Sequence, residues 1–387
     1  MIRNRIILCL VIVATGVFVS FFGGSISYGL FYTSLLVPVV SFAYMLYVHF
    51  RCRIYQLIEH KTVVKGEHIP YQFILSNEDV IAFTNIYVSF RTDFSEVDHV
   101  DADKTYCLLP QERCEQNTSI CCHYRGEYLV GAEYVYITDY LNLFRVRFEA
   151  PSPITVHVMP RVLRLQQLRI GEEMEGKMST SRAEIEQNVP DVEIRNYIPG
   201  DERRMIHWKS VAREHKLMTR KYTKEPKSEI TLYLDLTKKE ATLLEQMQIE
   251  DKMIELVLAI SDYYHRANTP IQCIYESNGL KEQKIMSKSD FDRLYEMCNT
   301  VYFRSKLLIH HLLEQTTNLT KNTTWGVVIT HSLTDELIIA CYEKIRLGCI
   351  ITILLVSSED YKDKIQKLDA RIHFHQIQLQ QEITEVI

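Results

Sequence analysis

The chain has 387 residues, 47% apolar and 24% charged, with a formal net charge of −5. That length leaves room for two or three domains with ordinary globular cores, and the slight acidity argues against a wholesale nucleic-acid binder. Ten cysteines are scattered along the chain with no Cys-x-x-Cys pair, which argues against a disulfide scaffold or a zinc ribbon.

The first predicted elements are two apolar runs, 6–22 and 30–48, each close to the ~20 residues that span a bilayer. Residues 23–29 between them form an uncharged turn. Arg3 and Arg5 precede the first run, and Arg51 and Arg53 follow the second. The positive-inside rule then places both termini and everything beyond residue 53 in the cytoplasm of a two-pass cell-membrane protein. In that compartment the cysteines are reduced and the sequons at Asn117, Asn318 and Asn322 stay unglycosylated. The alternative is a signal peptide cleaved near Ser27 and followed by a core helix. The length and apolarity of the second run stand against it.

Residues 54–160 change to short β-branched and aromatic runs: 71–75, 85–90, 119–124, 132–137 and 154–159. Turn residues recur at the spacing of a β-sandwich, and no catalytic motif is present. Cys107, Cys114, Cys121 and Cys122 cluster loosely here, and buried free thiols are expected rather than metal ligands. Residues 161–190 are polar and charged and are expected to form an exposed loop.

The densest chemistry follows. Between Arg195 and Lys224 there are nine Lys/Arg against three Asp/Glu. Pro199 and Gly200 supply turn chemistry, and Asp201 with Glu202 suits a helix start. Met205, Trp208 and Ala212 fall on one helical face, predicted to pack inward. Residues 214–216 break the helix, and 217–222 alternate as a strand does. Such a basic cluster meets a carboxylate-rich surface, a phosphate or a partner protein, unless acidic partners inside the protein consume it.

Beyond residue 226 strands and helices alternate. Strands are predicted at 229–236, 271–275, 301–303, 325–330, 349–356 and 371–379. Helices are predicted at 243–267, 291–298, 307–319 and 334–347. That order indicates a mainly parallel sheet covered on both faces, with ligands expected at the carboxyl ends of the strands, where Asp235 lies. His373 and His375 share a strand face and His310–His311 a helix. Neither pair has a third ligand, so both are expected to be structural.

The 195–217 stretch resembles the signature of a bacterial family called domain of unknown function 58. Arg195, Tyr197, Pro199-Gly200-Asp201, Arg204-x-Ile206-x-Trp208-Lys209, Ala212-Arg213 and Lys216-Leu217 carry the resemblance, with Arg203 adding to the basic surface. It implies a layout of a two-helix membrane hairpin (1–53), an immunoglobulin-like β-sandwich (54–160), a linker with the basic signature (161–225) and a von Willebrand factor type A-like α/β domain (226–387). Two departures concern shape. His215 replaces the family's Gly before Lys-Leu, and Asp139-Tyr140-Leu141-Asn142-Leu143-Phe144 replaces Asp-Pro-x-Gly-Leu-Phe, so that loop is expected to differ. A third concerns metal. The parent fold carries an Asp-x-Ser-x-Ser motif and a later acidic position. Here Asp235, Thr237 and Lys239 stand in the motif, and Thr330-His331-Ser332 in the later position. Asp235 and Thr237 are therefore a degenerate site, and neither a metal nor a cofactor is expected. The resemblance further implies a scaffold or adaptor working with a MoxR-type AAA+ ATPase in protein assembly or remodelling. The alternatives are a metal-dependent adhesion-type binder using Asp235, or an enzyme whose catalytic constellation the sequence does not reveal.

Overall fold

The computed structural model describes residues 1–98, 104–170, 194–198, 206–220, 229–317, 323–359, 361 and 371–383. They form two compact units, Met1–Arg161 and Val162–Ile387.

The first unit opens with two helices long and apolar enough to cross a membrane, α1 (Ile2–Phe22) and α2 (Ser25–Arg51). The link between them is shorter than the expected 23–29 turn. Only Gly23 and Gly24 lie outside the helices, both at positive φ, so the chain reverses at once. The helices lie antiparallel, with the Thr15 hydroxyl 3.1 Å from that of Ser34. The last turns of α2, at the end of the apolar run, enter the β-rich core, where Met45 and Val48 are buried with Tyr71, Phe73 and Leu75.

That core is built from three sheets. The first is antiparallel, in the order β1 (Arg53–Ile58), β3 (His68–Ser76), β7 (Arg113–Cys122), β5 (Ser95–Val97). The second is also antiparallel: β10 (Arg145–Glu149), β9 (Ala132–Thr138), β4 (Phe83–Phe90), β6 (Thr105–Leu108). In the small third sheet β11 (Ile154–Met159) pairs parallel with β2 (Thr62–Val64) and antiparallel with β8 (Gly126–Val130). Side chains alternate across each pleat, so Tyr71, Phe73 and Leu75 of β3 face the same core as Ile86, Val135 and Ile137 of the second sheet. All ten cysteines are free, and burial pushes the Cys122 thiol up to about 11.

The second unit begins with a segment expected to be an exposed loop. Residues 162–170 instead bury Leu165, Leu168 and Ile170 in the C-terminal core, and Arg266 Nη2 donates to the Leu165 carbonyl at 2.9 Å. Their apolar residues are diluted by Arg and Gln, which hides the packing in the sequence. A small sheet of β12 (Ile194–Asn196) and β13 (Met218–Arg220) follows, with the helix α3 (Trp208–Glu214) between its strands.

The main sheet has the order β16 (Leu280–Ile285), β15 (Ile271–Glu276), β14 (Glu229–Leu234), β17 (Thr323–Thr330), β18 (Ile350–Val356), β19 (Ile372–Ile377). All its pairings are parallel except the β15–β16 edge. Both faces are covered. Ile230, Leu232 and Leu234 pack with α4 (Leu243–Arg266) and α5 (Lys288–Thr300) in one core. Tyr233 packs with α6 (Ile309–Gln315) and α7 (Asp335–Arg346) in the other. Burial on both sides explains why β14 reads as a continuous apolar run.

Two details differ from the sequence prediction. Residues 301–303 are not a strand: Val301 and Phe303 are buried in the core, and the chain makes only an isolated bridge at Ser305 to Thr237. The edge strand β16 was not predicted because its sequence, LKEQKI, is mostly polar. Its signal was the Asn278-Gly279 turn, both residues at positive φ, which reverses β15 into β16.

Candidate functional site

The chain leaves β14 on one side, through α4 to β15, and returns on the other as β17. The loops after β14 and β17 therefore diverge, which makes their carboxyl ends the switch point where ligands of open α/β sheets bind. Asp235 ends β14, and Thr330 and His331 end β17.

The geometry there closes on itself. Asp235 is 2% exposed. Its Oδ1 accepts from the Thr237 amide at 3.0 Å and the Thr237 hydroxyl at 2.6 Å, and its Oδ2 accepts from the Thr330 hydroxyl at 2.7 Å. His331 Nε2 donates to the Thr237 carbonyl at 3.0 Å and lies 3.9 Å from Asp235 Oδ2. Lys239 turns away into an ion pair with Glu359, 2.9 Å, just beyond β18. That ammonium, with the Tyr361 hydroxyl behind it, holds the Glu359 carboxyl below its usual range.

These residues do not fit a divalent cation. One carboxylate is present, both of its oxygens already accept hydroxyl protons, and an imidazole stands beside it where a second acidic ligand belongs. Among the described residues no group of three His, Cys, Asp or Glu is placed to hold a metal. Nor is this a nucleophile relay. The Thr237 hydroxyl gives its proton to Asp235, whereas a relay needs the carboxylate on the far nitrogen of the histidine. Of the histidine pairs, His311 pairs with Glu314 at 3.2 Å, and His373 and His375 lie on β19.

A polar cleft of about 620 Å³ opens beside the end of β15, lined by Glu276, Lys281, Arg304, Ser305 and Lys306 among others. Glu276 is held below its usual range, chiefly by the Ser305 hydroxyl and then by the Gly279 amide.

The signature is the other candidate. β13 is flanked on both edges: Arg195 pairs with Thr219 on one, and Ile206 bridges Thr219 on the other. The Tyr197 amide donates to the Leu217 carbonyl at 2.8 Å, and the His207 amide to the Met218 carbonyl at 2.9 Å. This pairing holds Ile206 and His207 out of helical geometry, and the described helix starts at Trp208, while the start expected at Asp201 lies outside the described residues. His207 is its cap, with Nδ1 accepting from the Ser210 amide at 3.2 Å. The helix ends at His215, in the left-handed conformation at φ 52°.

The predicted inward face is overturned. Trp208 is 66% exposed, and Ala212 is exposed beside it. Ile198 and Leu217 are exposed as well, as are Lys209, Arg213 and Lys216. Among the described residues no ion pair engages those three cations. Pro199, Gly200, Asp201, Arg203, Arg204 and Met205 lie outside the described residues.

The family model described as "Protein of unknown function DUF58" matches residues 193–285, from the start of the signature to the end of β16. Over that segment the chain carries the domain that defines the family. No curated protein matches the sequence. Among solved structures, a GH20 exo-β-N-acetylglucosaminidase from Vibrio harveyi, in complex with N-acetylglucosamine, is 8% identical. The match covers 79% of this chain and 57% of that one, with a TM-score of 0.17. A β-glucuronidase from Bacteroides uniformis is 10% identical, with 83% of this chain and 35% of that one covered and a TM-score of 0.15. The chain spans less than two thirds of either structure, and at these scores neither likeness carries a fold or an activity to it.

Proposed function

We propose that this DUF58 protein is a membrane-anchored scaffold or adaptor whose signature surface docks a partner protein. One observation carries the proposal: Trp208 stands exposed on α3 among the exposed cations Lys209, Arg213 and Lys216, with Ile198 and Leu217 exposed in the same small motif. Trp and Arg dominate the energetic centres of protein interfaces, and an exposed basic rim steers an acidic partner onto them. The family resemblance names that partner as a MoxR-type AAA+ ATPase and the process as protein assembly or remodelling.

In the same reading the hairpin anchors the chain in the cell membrane with both termini and everything beyond residue 53 in the cytoplasm. The flanking arginines support that orientation. The β-rich unit is then the immunoglobulin-like sandwich of the implied layout, and the C-terminal unit its von Willebrand factor type A-like domain. The strand order and the switch point after β14 support the latter. An adhesion-type metal binder has less support, because Asp235 is closed off by Thr237, Thr330 and His331. An enzyme has less support because no nucleophile–base pair was recognised among the described residues.

The test is co-purification from membranes. The intact chain in detergent captures the ATPase, and Trp208→Ala and a Lys209→Ala/Arg213→Ala double variant weaken capture by about tenfold or more while staying folded. Undiminished capture by both variants removes the signature from the interface. For topology, Ile26→Cys labels with an impermeant thiol reagent on intact cells and His60→Cys does not, with Cys9 replaced.

A further inference from the structure

We infer that the Asp139–Phe144 loop is a second membrane contact, with Tyr140 and Leu141 seated in the apolar layer of the bilayer beside α2 and a lipid acyl chain filling the cleft between them. The inference rests on the reading that α1 and α2 span a membrane.

Position comes first. A cleft of about 370 Å³ is lined by Thr33, Leu36, Val37, Val40, Ser41 and Tyr44 of α2 and by Tyr140 and Leu141 of the loop. At 1.5 Å per residue, Thr33 to Tyr44 covers about 16 Å of helix. The loop tip thus runs alongside the apolar run of α2, above the level where α2 joins the β-rich core through Met45 and Val48. Tyr140 is 51% exposed and Leu141 46%. Both project from the protein at the depth that the helices assign to lipid.

The backbone of the loop is prepared for that depth. Irregular chain is tolerated in the apolar layer only where its polar groups find partners within the protein. The Asp139 carboxylate accepts from the amides of Leu141 at 3.2 Å, Leu143 at 2.8 Å and Phe144 at 2.7 Å. The Asn142 amide donates to the Asp139 carbonyl at 3.1 Å. The start of α1 satisfies the carbonyls: Asn4 Nδ2 donates to Leu141 at 2.7 Å and Arg5 Nε to Leu143 at 2.6 Å. The Ser41 hydroxyl donates to Asp139 from within α2. The Tyr140 hydroxyl donates to the Ala82 carbonyl at 3.0 Å, and its ring lies 4.3 Å from that of Tyr44. A surface loop in water has no need of so complete an internal set, since water satisfies what the protein leaves open. Tyrosine with a satisfied hydroxyl also suits the membrane–water boundary.

The occupant is lipid because the cleft is walled by the outward face of α2, where Leu36 and Val40 are exposed, and in the spanning reading that face lies in the bilayer. The test uses the intact chain in phosphatidylcholine vesicles with and without bromine on the acyl chains, in a Trp208→Phe background. Tryptophan is placed singly at Leu141, at Leu36 within α2 and at Leu280 on the edge of the six-stranded sheet. Leu141→Trp is expected to lose most of its added emission to brominated lipid and to emit to the blue of Leu280→Trp, as Leu36→Trp does. Tyr140→Trp, the milder aromatic exchange, must agree and guards against a misfolded loop. If Leu36→Trp is quenched while Leu141→Trp and Tyr140→Trp behave like Leu280→Trp, the loop stays in water and the inference falls alone. If Leu36→Trp is unquenched too, the spanning reading falls and takes the inference with it.

Discussion

The imidazole of His331 and the carboxylate of Asp235 face one another across the ends of β17 and β14, Nε2 to Oδ2 3.9 Å, with the Thr237 hydroxyl bonded to the carboxylate between them. The crevice that open α/β sheets keep for ligands is here filled by the protein itself. Removing divalent ions with a chelator is therefore expected to leave the melting temperature unchanged, since only a ligand bound to the native state raises it. Asp235→Ala is expected to cost about 3 kcal/mol, because three donors lose a buried acceptor. Thermal melts of the intact chain check both. A fall on chelation that magnesium restores shows that the crevice opens to metal.

Trp208 belongs to the surface, so Trp208→Ala is expected to change stability by less than about 0.5 kcal/mol, as an exposed substitution does, and not by the ~3–5 kcal/mol of an emptied core site. Thermal melting beside partner capture separates the two. A large loss of stability means the indole is covered in the assembled protein.

Two residues hold left-handed conformations where the family carries glycine, and they differ in cost. His215, at φ 52°, is expected to gain about 0.5–1 kcal/mol on substitution by Gly. Asn142, at φ 54°, belongs to the residue type that tolerates this region, so Asn142→Gly is expected to be near neutral. Comparing the two variants by thermal melting tests the difference.

Acidification probes Lys239 and Glu359. The folded carboxyl titrates below its ordinary 4.5, chiefly through the Lys239 ammonium. Its contribution is thus present above pH 4.5 and is lost as pH falls through the lower, folded value. Glu359 is over half exposed, so the contribution is under about 1 kcal/mol. The stability gap between the protein and Glu359→Gln is expected to be small near neutrality and to vanish in acid.

Gly326 lies in the central strand β17, where an added Cβ meets Ile351 Cδ1 at 2.8 Å and Tyr233 Cε2 at 3.2 Å. Gly326→Ala is expected to cost about 1–3 kcal/mol by overpacking. An unchanged melting temperature means that both neighbours give way freely.

The sequence by itself determined the elements whose signal is local and dense. Two uncharged apolar runs gave α1 and α2, alternation gave β3 and β9, and doubly buried runs gave β14, β17 and β18, since period and length are set within each segment. The ordered residues from Arg195 to Leu217 likewise identified the family, because their spacing survives without coordinates. Only the tertiary structure decided what depends on residues far apart in the chain. The polar strand β16 exists because β15 offers it an edge. Ile206 bridges Thr219 and His207 caps the helix that carries the exposed Trp208. His331 closes over Asp235 because a crossover brings two strand ends together. Asp139 binds Ser41, and Arg5 the Leu143 carbonyl, across most of the first unit. In each case the partner that fixes the residue lies in another element, and no local pattern of charge or hydrophobicity announces it.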